Sequence, residues 1–230
     1  VALDYPGPAE ANELLAALQG IPCMLKVGMQ LFYAAGPQFI ATLKEKGYRV
    51  FLDLKLHDIP HQVKGAARSI TRLGVDMFNV HAAGGIAMME AASEGVEEAL
   101  ARENGLERPV LIAVTQLTST NQQVLNGQIG IPGTIAEAVR KYARLARQAG
   151  LHGVVASALE VPEIKQACGR DFVTVTPGIR PIWAGKGDQM RVMTPREAIA
   201  NGSDYIVIGR PITASADPRQ ALETILEELT

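Results

Sequence analysis

The sequence is poor in cysteine, in net charge and in long hydrophobic runs, and each shortage excludes a class of protein. Its two cysteines, Cys23 and Cys168, lie far apart and have no CxxC or histidine-rich neighbourhood. This pattern is typical of reduced core thiols in a cytoplasmic protein. A formal net charge of −2 provides no global attraction to nucleic acid or to an anionic membrane. No apolar run approaches the roughly 18 residues that span a bilayer, so we expect neither a membrane nor a nucleic-acid partner.

The 230 residues do contain a regular alternation of short apolar runs and helical patterns. The runs that predict strands cover residues 1–4, 24–28, 50–55, 77–81, 110–115, 153–157, 173–176 and 205–208. The patterns that predict helices cover residues 9–19, 31–46, 60–73, 86–101, 135–149, 161–168, 195–201 and 218–229. Thr194 and Glu197 form the signature of a capping box, with Pro195 at the first helical position. Eight strand–helix units indicate parallel strands joined by helical crossovers.

This count predicts an α/β fold, a (β/α)8 TIM barrel that forms a single domain over residues 1–230, since no Pro/Ser-rich linker divides the chain. An open doubly wound sheet is the alternative. The regularity of the units and the lack of a GxGxxG motif after the first strand count against it. In a (β/α)8 barrel the active site lies at the C-terminal ends of the strands, so polar residues there are the candidates.

Charged residues interrupt the apolar run of the third predicted strand. Asp53 and Lys55 are two positions apart and therefore share a face, while Asp58 falls just past the end of the strand. Burying such ions costs several kcal/mol each unless they are paired. We interpret them as functional groups; the alternative is a structural salt-bridge network at the rim of the barrel.

Lys26, at the end of the second predicted strand, can reach the same space as Asp53 and Lys55. An array of alternating charge is self-neutralising, and each ion favours the ionised form of its neighbour. It leaves a fixed ammonium that can donate a proton to a carbanion and a fixed carboxylate that can repel a substrate anion. The sequence therefore predicts a charged reaction centre here.

The ends of the last two predicted strands have the features of a phosphate site. Gly209 permits close backbone approach and Arg210 adds a donor for phosphate, in the loops that often bind phosphate in such barrels. The alternative for this motif is a tight turn with a solvated arginine. Residues 176–189 form a long Gly/Pro-punctuated loop, which we interpret as a lid over the substrate; a disordered surface loop is the alternative.

The histidines give weaker signals. His81 ends the fourth predicted strand, and two roles stay open for it: support of the charged cluster, or a hydrogen-bonded structural residue. His57, His61 and His152 lack the spacing of metal ligands, and we interpret them as structural or surface residues.

Taken together, the motifs resemble the orotidine 5'-monophosphate decarboxylase family in the order expected over nearly the whole chain. The segments that carry the resemblance are Ala2-Leu3-Asp4, Leu25-Lys26-Val27-Gly28, Asp53-Leu54-Lys55-Leu56-His57-Asp58-Ile59-Pro60, Asn79-Val80-His81-Ala82, Thr115-Gln116-Leu117-Thr118-Ser119, Thr176-Pro177-Gly178-Ile179-Arg180, Gly187-Asp188-Gln189 and Ile208-Gly209-Arg210-Pro211. The resemblance implies decarboxylation of orotidine 5'-monophosphate to uridine 5'-monophosphate in pyrimidine synthesis, with no metal or organic cofactor.

The resemblance also implies residue roles at the reacting end of the substrate. Lys55 protonates C6 of the pyrimidine as carbon dioxide leaves, and Asp53 presses against the substrate carboxylate and holds Lys55. Asp58 enters the site of the partner subunit in a homodimer. Asp4 and Lys26 bind ribose hydroxyls and charged neighbours.

Further residues are implied to bind the base and the phosphate. Thr118 is expected to hydrogen-bond the edge of the pyrimidine, and Gln189, Gly209 and Arg210 to hold the phosphate. Pro177 and Arg180 complete the substrate-binding set, with residues 177–188 as the closing loop.

One position departs from the family pattern: Gln62 stands where Thr is usual, and that Thr helps the partner subunit's aspartate contact the ribose side. Two other functions are open. Magnesium-dependent sugar-phosphate decarboxylases and aldolases share the DxKxxD strand, but they place an acidic metal ligand where this chain has Lys26. The second is a non-catalytic nucleotide-binding barrel. Such a barrel does not need the complete charged triad of Asp53, Lys55 and Asp58, which this chain has.

Overall fold

Strands and helices alternate along the computed structural model, which describes residues 1–184 and 193–229. The strands are β1 (Ala2–Leu3), β2 (Met24–Gly28), β3 (Arg49–Leu56), β4 (Met77–His81), β5 (Val110–Val114), β6 (Gly153–Val155), β7 (Val173–Thr176) and β8 (Tyr205–Ile206). The α-helices are α1 (Pro8–Ala17), α2 (Met29–Glu45), α3 (Pro60–Arg72), α4 (Gly85–Arg102), α5 (Ile135–Gln148), α6 (Val161–Cys168), α7 (Pro195–Ala200), α8 (Arg210–Thr213) and α9 (Pro218–Leu229). No described helix has the length and hydrophobicity of a membrane span.

The strands form one parallel sheet in the order of the sequence, from β1 to β8. Just past β8, the carbonyl of Ile208 accepts a hydrogen bond of 2.8 Å from the backbone N–H of Ala2 in β1. This bond joins the last strand segment to the first and curls the sheet into a barrel. The predicted (β/α)8 barrel is thereby confirmed, and the open doubly wound sheet is excluded.

Every predicted strand and helix occurs, and the capping box at the start of α7 is present with Thr194 and Glu197 bonded reciprocally. Two features of the helices were not predicted. The short helix α8 follows β8 directly, and α2 is kinked at Gly36, whose φ is 69°. The kink has a local cause, because Pro37 has no N–H to donate and disfavours helical geometry in the residue before it.

Two hydrophobic layers follow from the alternation of side chains along the strands. Leu52 of β3 packs in the core between the sheet and the helices, with Leu54 and Leu56 partly buried against it. Phe51 points into the barrel, where it packs with other inward residues of neighbouring strands. Asp53, two positions along the same face as Phe51, therefore lies above this apolar plug and at the mouth of the barrel.

At the opposite end of the barrel, two aspartates bind the strand that precedes them. The Oδ2 atom of Asp76, just before β4, accepts hydrogen bonds from the backbone N–H of Val50 (2.7 Å) and from Lys44 Nζ (2.5 Å). The Oδ2 atom of Asp204, just before β8, accepts bonds from the backbone N–H of Thr174 (2.7 Å) and from Lys165 Nζ (2.6 Å). Each aspartate thus anchors the start of one strand to the helix before it.

Candidate active site

A cavity of about 360 Å³ opens at the C-terminal ends of the strands. Every predicted site residue that the structure describes lines it, except Asp58. Gln189 lies outside the described residues. The lining residues are Ala2, Asp4, Lys26, Phe51, Asp53, Lys55, Val114, Gln116, Leu117, Thr118, Ser119, Val155, Pro177, Gly178, Ile179, Arg180, Val207, Gly209, Arg210 and Pro211. The volume falls within the range of small-molecule sites.

Four charged side chains of alternating sign cross one wall of the cavity, and we refer to Asp4, Lys26, Asp53 and Lys55 as the charged row. The Lys26 Nζ atom lies 3.1 Å from Asp4 Oδ1 and 3.4 Å from Asp53 Oδ2. The other oxygen of Asp53 accepts a hydrogen bond of 2.7 Å from Lys55 Nζ. Asp53 thus stands between two ammonium groups.

The ionised form of Asp53 is favoured by its neighbours. Its side chain is only 13% exposed, and this burial alone would raise the pKa of its carboxyl group. The charges of Lys26 and Lys55, with hydrogen bonds from Lys55 and Asn79, outweigh burial and lower the pKa below its usual value. The cavity therefore contains a fixed negative charge beside a fixed positive one.

An irregularity in β3 positions Lys55. Between Leu52 and Leu56 the register of β3 against β4 shifts, and Lys55 adopts a φ of 55°, in the left-handed region. For a residue with a side chain this conformation costs roughly 1–2 kcal/mol. The backbone N–H of Lys55, turned out of the ladder, donates instead to Asn79 Oδ1 at 2.7 Å.

Asn79 on β4 is a site residue that the sequence did not single out. Besides accepting from the Lys55 backbone, it donates through Nδ2 to Asp53 Oδ1 at 2.7 Å. One amide therefore fixes both the strand irregularity and the central carboxylate. A polar residue in the middle of a buried strand was the available signal.

His81 and His57 form a stacked pair beside the charged row, with ring centroids 5.3 Å apart and planes 15° apart. His81 Nδ1 accepts a hydrogen bond from the backbone N–H of Ala83, which caps a short 3₁₀ turn. Burial, then the nearby His57 and Lys55, lowers the pKa of His81. The structure gives His81 a hydrogen-bonded structural role, and its position near Lys55 keeps the supporting role open.

The candidate phosphate end of the cavity combines the two predicted loops. Gly209 and Arg210 lie at the start of α8, and Pro177, Gly178 and Arg180 follow β7. The backbone N–H of Arg180 donates to the carbonyl of Met193 at 2.9 Å, which ties the start of the long loop to its far side. Residues 185–192, which include the last part of the predicted lid (residues 185–189), lie outside the described residues.

Asp58 does not join the other predicted catalytic residues within one chain. It is exposed, and its carboxylate accepts a hydrogen bond of 2.7 Å from the backbone N–H of Ile59. Gln62, in the first turn of α3, is exposed as well. A second cavity, of about 220 Å³, reaches the charged row from the side of Gly28 and Met29.

The charged row also limits what the site can hold. Within residues 1–184 and 193–229, no group of three His, Cys, Asp or Glu side chains has an arrangement that suits a metal ion. On β2, the side chain that faces Asp53 is the ammonium of Lys26. An ammonium at this position repels a divalent cation rather than binding it.

Comparison with known proteins gives one consistent family. The profile of the orotidine 5'-phosphate decarboxylase / HUMPS family matches residues 1–225. Proteins named orotidine 5'-phosphate decarboxylase from Bacillus mycoides and Bacillus cereus are each 53% identical over 228 residues, which is 99% of this chain and 95% of theirs.

Solved structures agree with the sequence relatives. A crystal structure of orotidine 5'-phosphate decarboxylase from Lactobacillus acidophilus has a TM-score of 0.88 and 40% identity, and covers 100% of this chain and 97% of its own. A crystal structure of a conserved protein from Geobacillus kaustophilus, described as uncharacterized, has a TM-score of 0.87 and 46% identity, with coverage of 100% and 98%.

Proposed function

Because this chain belongs to the orotidine 5'-phosphate decarboxylase / HUMPS family, we propose that it converts orotidine 5'-phosphate to uridine 5'-phosphate in pyrimidine synthesis. The protein is an enzyme, a carboxy-lyase. The observation that carries the proposal is the charged row, which places a partly buried ammonium and a partly buried carboxylate 2.7 Å apart in the cavity. That arrangement suits a reaction in which a carboxylate leaves and a carbanion must be neutralised.

The proposed chemistry uses Lys55 as the proton donor. The bond between C6 of the pyrimidine and its carboxylate carbon breaks, the electron pair stays on C6, and carbon dioxide leaves. A proton from the Lys55 ammonium forms the new C6–H bond, and the neutral amine regains a proton from water. The ammonium stabilises the developing charge before the proton moves, because it is already held in place by Asp53.

Asp53 has a second proposed role, which is to destabilise the ground state of the bound substrate. Its carboxylate is held ionised at low exposure, and it would lie beside the carboxylate of the bound substrate. Two like charges in a water-poor site repel, and the repulsion is relieved as neutral carbon dioxide forms. Asp4 and Lys26 continue the row toward solvent, where the ribose hydroxyls are proposed to bind.

The phosphate is proposed to supply the binding energy that this crowded geometry needs. Gly209, Arg210 and Arg180 line the same cavity as the row, and Gln189 is the further predicted ligand. Interactions with a remote, unreactive group can offset unfavourable contacts at the reacting carbon. A nucleoside without phosphate should therefore be a poor substrate.

A homodimer with shared sites is part of the proposal. Asp58 is exposed and outside its own cavity, while a second cavity beside Gly28 and Met29 gives access to Lys26 and Lys55. A carboxylate from a second copy that entered this cavity would continue the alternation of charge past Lys55. Met29, which lines this second cavity, and Ile59, which follows Asp58 in the chain, both have exposed side chains.

The two other functions differ in what the assay will show. A magnesium-dependent sugar-phosphate enzyme would lose activity in EDTA, whereas Lys26 on β2, beside Asp53, favours activity that chelation leaves unchanged. A nucleotide-binding barrel without activity would bind uridine 5'-phosphate but leave orotidine 5'-phosphate intact.

The deciding experiment follows the ultraviolet absorbance of orotidine 5'-phosphate in the presence of the protein and EDTA. We expect the absorbance to fall, and Lys55→Ala to reduce the rate at least about 10³-fold while uridine 5'-phosphate still binds. Lys141→Ala, an exposed lysine on α5, is the matched control and should retain the wild-type rate. Near-normal turnover by Lys55→Ala would overturn the mechanism, and an unchanged absorbance with wild-type protein would overturn the function.

A further inference from the structure

Gln116 is a largely buried amide that lines the active-site cavity. It lies two residues past the end of β5 and only 7% of it is exposed. Its side chain has no hydrogen-bond partner within the part of the chain that the structure describes. Every fully buried side-chain nitrogen or oxygen in the described part of the chain has a hydrogen-bond partner, so the unpartnered amide atoms of Gln116 are slightly exposed. The space that Gln116 lines is the active-site cavity.

Several neighbours of Gln116 in the barrel and in the cavity wall are apolar. Ile112 packs inside the barrel, and Val114 and Gln116 both line the cavity, Gln116 from the loop that follows β5. Val155 on the neighbouring strand is also part of the cavity wall. An amide side chain offers two N–H donors and a carbonyl acceptor, and this one lies at the cavity wall with none of them bonded to a residue that the structure describes.

We propose that Gln116 binds the polar edge of the pyrimidine base, beside Thr118. This inference rests on the proposed function and deepens it. The charged row is proposed to contact the reacting end of the nucleotide, and Arg180, Gly209 and Arg210 are proposed to bind its phosphate. The imide edge of the base, with two carbonyls and an N–H, is the remaining polar part.

The chemistry of an amide matches that edge better than a charged side chain would. One amide can donate to a ring carbonyl and accept from the ring N–H. It does so without adding a charge to a cavity whose row is already balanced. Thr118, two residues further along the same segment, lines the same cavity and is proposed to bind the same edge.

The test separates binding of the base from binding of the phosphate. Gln116→Met keeps the length of the side chain and removes both hydrogen-bonding groups. We expect its dissociation constant for uridine 5'-phosphate to rise about 5- to 10-fold. Its dissociation constant for ribose 5-phosphate, which lacks the base, should change less than about twofold, because the phosphate contacts are intact.

Two further variants keep the test decisive. Gln116→Glu retains the shape and the acceptor but loses the donors, and it should also weaken uridine 5'-phosphate more than ribose 5-phosphate; thermal unfolding checks that each variant is folded. Gln148→Met, at an exposed position of α5, should bind both ligands as wild type does.

Each result has one meaning. Equal weakening of both ligands, or no weakening of either, in folded variants would overturn the role of Gln116. The proposed function is judged separately, by turnover of orotidine 5'-phosphate with wild-type protein. A wild-type protein that binds both ligands without turnover would therefore contradict the function and still measure the role of Gln116.

Discussion

At the scale of single residues, the site depends on one carboxylate that serves several partners. Asp53 contacts two ammonium groups and an amide, and its low exposure makes each of these contacts stronger than it would be in water. Removing one member of such a buried set leaves the others uncompensated, which costs more than the set contributes as a whole. Asp53 is therefore the position at which charge and stability are most tightly linked.

Asp53→Asn should lower both stability and activity. The variant keeps the side-chain shape but leaves Lys26 and Lys55 as neighbouring like charges. We expect the free energy of unfolding at pH 7, measured with urea, to fall by about 3 kcal/mol, and turnover to fall at least about 100-fold. Asp171→Asn, whose side chain is 83% exposed in the wild type, is the control and should change neither.

The pH dependence of this effect has a definite sign. Because the pKa of Asp53 is lower in the folded protein than in the unfolded chain, its stabilising contribution is present above the unfolded value of about 3.9. The contribution is lost as the pH falls through the folded pKa. The difference between wild type and Asp53→Asn should thus be constant from about pH 8 to about pH 5 and shrink below about pH 4. A difference that already shrinks above pH 5 would contradict an ionised Asp53.

At the scale of elements, β3 shows how local geometry and chemistry are combined. Its alternating pattern could be read from the sequence, which is why Asp53 and Lys55 were correctly placed on one face. The register shift and the left-handed conformation of Lys55 could not be read, because they depend on pairing with β4. Asn79 was missed for the same reason: only that pairing brings it to Asp53.

Comparing Gly and Ala at position 55 measures the backbone strain apart from the chemistry. Both Lys55→Gly and Lys55→Ala remove the ammonium and should be inactive. At a φ of 55° glycine avoids the clash of a Cβ atom, so we expect Lys55→Gly to be more stable than Lys55→Ala by about 0.5–1 kcal/mol.

The same pair of substitutions at Lys141, in the middle of α5, should give the opposite order. There glycine costs about 1 kcal/mol relative to alanine. Urea unfolding of the four variants makes the comparison, and equal stability of the two variants at position 55 would show that β3 relaxes when the lysine is lost.

At the scale of the whole molecule, the fold was predictable from the sequence and the assembly was not. Eight repeated strand–helix units leave few alternatives to a barrel, and the bond between Ala2 and Ile208 closes it. The ends of the strands then locate the site without further information. Asp58 is different, because its predicted partners belong to a second copy, and no pattern within one chain measures such a contact. The shared site stays a prediction.

Mixing two inactive variants tests the shared site. If Asp58 completes the partner's cavity, then a hybrid of Lys55→Ala and Asp58→Asn subunits contains one intact site. Random exchange of equal amounts should restore about a quarter of the wild-type activity. A mixture of Lys55→Ala and Asp53→Asn is the control; both residues belong to the same chain's cavity, so no site is restored. Failure of the first mixture to regain activity, with exchange demonstrated, would contradict a shared Asp58.

The two aspartates at the end of the barrel opposite the cavity, Asp76 and Asp204, occupy equivalent positions in its two halves. Asp76 precedes β4 and Asp204 precedes β8, four strands later. Each binds the start of the strand before its own, and a lysine of the helix that leads into that earlier strand. The barrel thus repeats one structural device with twofold periodicity. The first half supplies the whole charged row, and the second half supplies the groups proposed to hold the base and the phosphate. Substitutions in the second half can therefore change which nucleotide is accepted without removing any member of the charged row, and they act on the reaction only through the binding energy that reaches the row.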